Sequence, residues 1–258
     1  MYIIGTKKGE TAIKLAKTLK NCEGGYDYPF EEDFYVNYGR IDVRNIANLN
    51  ARLINNKLLQ LRKMRESNSD VNVPYYYEFY DRRSLLSVPN SFFPCIARKY
   101  YHTKGKDAIF LKTKFSLRRR LNRVLRRRNY LVKYIPKRAE FRVHVLGREI
   151  AGVSIKVKNR EVSEHHPYIW SRERGWIQLD YNSDGRYYNE LSDIAVKCCE
   201  IMGYDFGAVD IMLGKDGLFY FLEINSAPRL NLRRRRLYAK FIRKKWKEYQ
   251  TRRNNEIL

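Results

Sequence analysis

The chain has 258 residues and a formal charge of +24, from 52 Lys and Arg against 28 Asp and Glu. Hydrophobic residues at 44% and aromatics at 14% can fill a core, which excludes wholesale disorder and collagen-like or low-complexity architecture. The length fits one domain or two closely joined lobes, and the charge favours polyanions, whether nucleic acid, anionic membrane or acidic protein.

Tyr2, Ile3 and Ile4 form a short apolar run. Gly5 and Gly9 follow, and Ala12, Leu15, Ala16 and Leu19 then recur at helical spacing, which predicts strand, turn and helix. A second apolar run over residues 34–36 ends at Gly39. Ile46, Leu49 and Leu53 begin a longer helix, expected to continue through Asn56 and Lys57 to Met64. Residues 1–70 thus read as a small N-terminal α/β lobe, closed by a polar stretch at 66–73 ahead of Pro74.

PCIARKYY and DAIFLKT read as two strands joined by a basic loop at 102–106. SLRRRLNRVLRRR predicts a helix with Leu117, Leu121, Val124 and Leu125 on one face and Ser116 as its N-cap. YLVKYIP is a strand stopped by Pro136. EFRVHVL, a turn at Gly147 and EIAGVSIKV form a hairpin, residues 189–202 a helix and residues 207–225 another hairpin. The last segment is a basic helix with the stripe Tyr238, Ile242, Trp246 and Tyr249.

Cys22, Cys95, Cys198 and Cys199 form no CxxC pair, so neither a zinc site nor a disulfide framework is expected and a reducing cytosol fits best. The N-terminus reaches charged residues too soon for a secretory segment, and no run of about 18 apolar residues occurs. The expected location is cytoplasmic, with no membrane association.

The segment GAVDIMLGKDGLFYFLEIN carries the chemistry. A turn centred on Lys215 and Asp216 pairs Leu213 with Leu218 and Asp210 with Phe221. Val209, Ile211, Leu213, Leu218, Tyr220, Leu222 and Ile224 then share an apolar face, and Asp210, Glu223 and Asn225 the other. Asp210 and Glu223 become diagonal neighbours roughly 7 Å apart. Two carboxylates and an amide oxygen suit Mg²⁺, which completes its shell with water and phosphate oxygens. The same spacing equally allows solvated residues on the outer face of an amphipathic hairpin.

DIMLGKDGLFYFLEINSAP resembles the signature of ATP-grasp enzymes: an Asp, a hairpin, then E-x-N-x-x-P. The superfamily includes D-alanine ligases and ligases that add glutamate to a ribosomal protein. LVKYIPKRAEFRVHVLGREIAGVSIKV is similar to its hinge and hairpin, PCIARKYYHTKGKDAIFLKT to the strands and loop over the phosphates, and the N-terminal unit to the pre-ATP-grasp lobe. These cover most of residues 1–230 in the family's order, and the small basic chain resembles phage-encoded members, whose setting would be the host cytoplasm.

The resemblance implies an α/β ATP-grasp fold with a pre-ATP-grasp lobe at 1–70, a phosphate-loop subdomain at 71–132 and a metal-site subdomain with a basic C-terminal helix at 133–258. It implies ATP and Mg²⁺ as cofactors. Asp210, Glu223 and Asn225 match the metal ligands, and Lys133, Tyr134 and Ile135 the hinge that reads adenine, with Lys133 where many members carry an acid. Glu140 matches an acid at the ribose or acyl substrate, and Arg142 a basic residue at the phosphates or acyl-phosphate. Arg98 replaces a strand lysine at the phosphates, while Lys57 and Lys106 match a helix lysine and the basic phosphate loop, which here has one glycine. Lys156 aligns with a basic strand residue, but a simple turn at Gly147 and Arg148 would leave it on the face opposite Arg142 unless a bulge or a longer turn intervenes. Arg229 stands where glycine is usual and would point a cation toward the acceptor. The implied reaction activates a carboxylate with the γ-phosphate of ATP and then joins it to an amine, which needs no protein nucleophile. A phosphotransferase, or a binding protein that keeps the fold without turnover, are the alternatives.

Residues 118–128 carry seven Arg and no acid, and residues 233–253 eleven Lys and Arg against Glu248, together +17 of the +24. These segments either grip nucleic acid or another large anionic substrate, or are solvated helix faces whose apolar stripes pack inward. His165 and His166 with Cys198 and Cys199 lack ligand spacing. Trp170 and Trp176 lie in a long aromatic and basic connection, either as part of the acceptor pocket or, more simply, as packing residues, and His144 is either a site residue or core filler.

Overall fold

The structure, a computed structural model, describes residues 2–5, 10–19, 22–25, 35–38, 56–100 and 108–257. The expected helix start at Ile46, Leu49 and Leu53 and the loop holding Lys106 lie outside them. In the N-terminal lobe β1 (Tyr2–Gly5) runs between β2 (Glu23–Gly25) and β3 (Tyr35–Tyr38), all parallel. α1 (Glu10–Leu19) buries Ala12, Leu15, Ala16 and Leu19, the stripe legible in the sequence.

α2 (Lys57–Glu66) does not run through Asn56. Asn56 is extended, and its side-chain oxygen accepts from the N–H groups of Leu58 (3.0 Å) and Leu59 (3.3 Å). It is an N-cap, which makes Lys57 the first helical residue.

A four-stranded antiparallel sheet follows, in the order β4 (Tyr76–Glu78), β7 (Tyr130–Lys133), β5 (Cys95–Arg98), β6 (Ile109–Leu111). α3 (Arg82–Leu86), α4 (Lys114–Arg119) and α5 (Leu121–Arg127) close it, burying Leu85, Leu117, Leu121 and Val124 against Cys95, Ala97, Ile109, Leu111 and Leu131. The sequence predicted one helix capped by Ser116. Thr113 is the cap instead, with Ser116 completing its capping box, and the helix breaks at Arg120.

The larger sheet is antiparallel in the order β10 (Trp176–Tyr181), β9 (Glu149–Lys158), β8 (Lys137–Leu146), β11 (Phe206–Gly214), β12 (Phe219–Asn225). α6 (Tyr188–Met202) packs Leu191, Ala195, Cys198, Cys199 and Met202 on Phe141, Val143, Val153, Val209 and Ile211. α2 adds Leu58, Leu61 and Met64 to the same core. The vicinal cysteines are therefore core residues, and burial pushes the Cys198 thiol up to about 12.

The register of β11 and β12 corrects the sequence reading. Leu213 pairs with Phe219 and Ile211 with Phe221, and a bulge at Leu222 then places Asp210 directly opposite Glu223. The extra residue switches the phase of the strand. Phe219, Phe221 and Ile224 thus face the core, while Leu218 is 49% exposed at the turn.

A second bulge lies between β8 and β9. Leu146 pairs with Glu149 across the two-residue turn of Gly147 and Arg148, but His144 pairs with Gly152 and Val145 with Ile150, leaving Ala151 extra. Arg142 therefore faces Ser154, and Lys156 returns to the face of Glu140 and Arg142.

α7 (Leu232–Ile257) buries Tyr238, Ala239 and Ile242 against Ala12, Leu15, Leu19, Tyr38, Leu146 and Phe206. Arg243 donates to the Thr18 and Leu19 carbonyls at the end of α1 (3.0 and 3.2 Å). The basic helix thus joins the N-terminal lobe to the large sheet.

Candidate active site

The face of the large sheet turned away from α6 collects charge. Arg142 pairs with Asp210 through Nε to Oδ1 (2.7 Å) and Nη2 to Oδ2 (2.8 Å), a fork on a carboxylate that the strand register sets directly opposite. Burial pushes the Asp210 carboxyl up, the Arg142 guanidinium pulls it down and Glu223 pushes it up again, leaving it above its ordinary value.

Glu223 is ion-paired with Lys57 on α2. The Asn225 amide donates to Glu223 Oε1 at 3.3 Å, so the three residues matched to metal ligands share one small patch. Among the described residues no group of three His, Cys, Asp or Glu could hold an ion. Any cation here would rest on two carboxylates and an amide oxygen.

Glu140 is buried between Lys137 (2.9 Å to Oε2) and Lys156, which contacts Oε1. Burial alone would push this carboxyl up, but the two lysines outweigh it and hold it at about 2. Lys156 also donates to the Trp170 carbonyl (2.8 Å), and the Lys137 ammonium lies 4.6 Å from the Trp170 ring centre.

Arg98 approaches from the four-stranded sheet. Its charge helps depress Lys137 and opposes the effect of burial at Tyr130, whose phenol stands at about 12. Glu223 also acts on Tyr130, so that ring is within electrostatic reach of both Arg98 and Glu223.

At the hinge the Lys133 N–H is donated to Tyr75 O (2.7 Å) and the Tyr134 N–H to Pro94 O (2.9 Å). The Lys133 ammonium binds the carbonyls of Ser91 (2.6 Å) and Phe93 (3.1 Å). Ile135 lies against the turn of β11 and β12, where a Cβ on Gly214 would meet it at 3.2 Å. The Tyr134 ring meets Phe110 and Tyr168 edge-on, and those two stack at 3.8 Å, joining β6 to the connection after β9.

Arg229 is exposed, and its charge reaches Glu10 at the start of α1. The preceding Pro228 carbonyl accepts from the Tyr38 hydroxyl. His144 lies on the Arg142 face but is buried, with Nδ1 3.1 Å from the Tyr238 hydroxyl, and burial with Arg234 and Arg142 holds it at about 3. His165 and His166 bond within their own connection, to Asn159 O and from the N–H groups of Tyr168 and Ile169. Trp170 and Trp176 stack at 3.9 Å.

Sequence reasoning missed Lys137 and Gln60. Lys137 stands three residues before Glu140, close enough to have been weighed with it. Gln60 carries no motif, yet its amide is tied to Ile224 at N–H (2.9 Å) and C=O (3.0 Å), which fixes α2 beside Glu223.

The family model for the RimK-like ATP-grasp domain matches residues 78–242. No curated protein matches the chain. The ATP-grasp ligase PsnB complexed with minimal precursor superposes with a TM-score of 0.66 at 12% identity, covering 95% of this chain and 98% of that one. With a phosphomimetic precursor variant, Mg and ADP, PsnB gives 0.55 at 16% identity over 74% of this chain, which spans 59% of that one. D-alanine–D-alanine ligase from Bacillus anthracis gives 0.66 at 13% identity, covering 97% and 98%. Macrocyclase MdnC from Microcystis aeruginosa, bound with precursor peptide MdnA, gives 0.59 at 12% identity, covering 93% and 98%.

Proposed function

The chain belongs to the RimK-like ATP-grasp family, and from that premise we propose that it is an ATP- and Mg²⁺-dependent ligase joining a carboxylate to an amine. The observation that carries this reading is the direct pairing of Asp210 with Glu223 inside a ring of cations. Lys57, Arg98, Lys137, Arg142 and Lys156 against Glu140, Asp210 and Glu223 leave an excess of two positive charges. That excess complements the two net negative charges of magnesium-bound ATP.

Asp210, Glu223 and Asn225 fit a hard divalent cation, with phosphate and water oxygens filling the remaining positions. When bound, the ion would neutralise charge on the transferring phosphoryl group. Lys57, Arg98 and Lys156 are assigned to the phosphates, joined by Lys106 from outside the described residues. Lys133, Tyr134 and Ile135 are assigned to the adenine. The Lys133 and Tyr134 N–H groups are committed to protein carbonyls, so other groups of the hinge would read the base. Glu140 faces the ribose or the acyl group, Arg142 the γ-phosphate and acyl-phosphate, and Arg229 the acceptor end.

The substrate carboxylate attacks the γ-phosphorus and ADP leaves. The amine then attacks the acyl carbon, and phosphate leaves as the amide forms. The residues position reactants and stabilise charge, without a protein nucleophile.

The substrate we propose is an acidic peptide or protein. Arg118, Arg119, Arg123 and Arg126 on α4 and α5, Arg120 at the break between them, and Arg233, Arg236, Lys240 and Lys244 on α7 are exposed cations suited to such a chain. An acidic peptide supplies both the negative charge and the carboxylate to be activated, whereas unmodified nucleic acid has no carboxylate. PsnB complexed with a minimal precursor and MdnC bound with a precursor peptide favour the same class.

The test is ADP release with a glutamate-rich peptide and a mixture of amino acids, followed by mass analysis of the peptide. Condensation with an amino acid supports the ligase. A phosphorylated peptide would favour the phosphotransferase, and salt-dependent peptide binding without ATP consumption a non-catalytic binder.

A further inference from the structure

The carboxylates assigned to the metal already hold cations of the protein's own. Both oxygens of Asp210 are taken by the Arg142 fork, and Glu223 is in direct contact with the Lys57 ammonium. The side chains of Asp210 and Glu223 are 6% and 16% exposed, so solvent ions do little to compensate them. Within these two ion pairs the two negative and two positive charges balance.

The placement of both cations is built in. Arg142 is fixed opposite Asp210 by the register of β8 and β11. Lys57 opens α2 behind its Asn56 cap, and Gln60, one turn on, ties that helix to Ile224, the residue after Glu223. Each carboxylate thus meets its counterion without any rearrangement of the backbone.

We propose that Lys57 and Arg142 are internal counterions that keep Asp210 and Glu223 closed to a divalent cation until a nucleotide's phosphates draw them away. A cation arriving alone must break both ion pairs and leave a guanidinium and an ammonium stranded in a half-buried site. A triphosphate arriving with it supplies new partners for both. Metal and nucleotide are therefore strongly coupled, each raising the affinity for the other by the same factor. The inference rests on the proposed nucleotide site and adds to it a binding order and two positioning residues.

The test uses Mn²⁺ as the probe, followed by the electron paramagnetic resonance signal of the free ion, on the full chain without nucleotide. Wild type is compared with Lys57→Gln and Arg142→Gln. Lys57 is at a helix start and 20% exposed, so its variant retains the fold even if the Arg142 variant does not. Each substitution is expected to raise Mn²⁺ affinity, on the order of 5- to 150-fold for a coupling of ordinary size, and to weaken binding of AMPPNP in calorimetry with Mg²⁺. A purely structural role for either residue would not raise metal affinity.

Unchanged or weaker Mn²⁺ binding in Lys57→Gln, with wild type still binding AMPPNP and Mg²⁺, would overturn the counterion inference and leave the nucleotide site intact. Wild type that binds no AMPPNP would overturn the nucleotide site and the inference with it.

Discussion

Gln60 hydrogen-bonds both main-chain groups of Ile224, taking the place of a neighbouring strand at the open edge of the large sheet. The pair is buried, and its partners on either side are Glu223 and Asn225. Gln60 thereby satisfies the edge strand at Ile224, as Asn72 does at Phe219 and Phe221, and holds α2, with Lys57, against the carboxylates.

Gln60→Leu is expected to lower stability by roughly 2–4 kcal/mol, because it strands a buried N–H and a buried carbonyl. Urea unfolding should show a lower midpoint at unchanged slope. A loss below about 0.5 kcal/mol would mean that water replaces the amide.

Arg142 and Asp210 should be strongly non-additive. Arg142→Met alone leaves a buried carboxylate uncompensated and is expected to cost about 3–5 kcal/mol, whereas Arg142→Met with Asp210→Leu should recover most of that loss. Additive losses in the same unfolding series would show that the two groups do not act as a pair.

Acid sensitivity should track His144. Its folded pKa of about 3 lies below the ordinary 6.5, so the unfolded chain takes up the proton first as pH falls. Stability from this group is complete above 6.5 and is lost as pH falls toward 3, by at most about 1.4 kcal/mol per pH unit. Glu140, at about 2 against 4.5, adds a loss in the same direction below pH 4.5. The groups facing His144 are Tyr238, Arg234 and Arg142. Wild type should lose about 2 kcal/mol between pH 7 and pH 5, and His144→Gln much less. Equal losses in the two proteins would remove His144 from the account.

Gly152 has φ of 143°, at the bulge that returns Lys156 to the site, and a Cβ there would meet Arg234 Nε at 3.3 Å. Gly152→Val should cost about 1–3 kcal/mol and weaken ATP binding by displacing Lys156 from Glu140. Stability loss with unaltered ATP affinity would separate the bulge from the site.

Much of this was legible in the sequence. The stripe of α1 and the strands on either side of Gly147 come from periodicity and spacing, and the order of segments from PCIARKYY to EINSAP comes from the resemblance to the ATP-grasp family. The reading that failed was local. Counting back from a two-residue turn at Lys215 and Asp216 misplaced every pair to Phe221 by one, because the turn also takes in Gly217 at φ of 85°, and the bulge at Leu222 then adds a further residue without any sequence mark. A bulge or a longer turn could be named as the condition that Lys156 required, but the bulge at Ala151 and Gly152 could not be located. Asn56 and Thr113 were hidden by neighbours equally able to cap or continue a helix. Gln60 was illegible because its partner is a backbone group 164 residues away.

The most direct test of the central claim is calorimetric titration of AMPPNP in Mg²⁺ into wild type and into Asp210→Asn/Glu223→Gln. Metal-dependent binding in wild type that disappears in the double variant, with the variant still folded by circular dichroism, is the predicted result. Binding of equal strength in both proteins would contradict the assignment of Asp210 and Glu223 to the metal, and no binding in wild type would contradict the ligase reading itself.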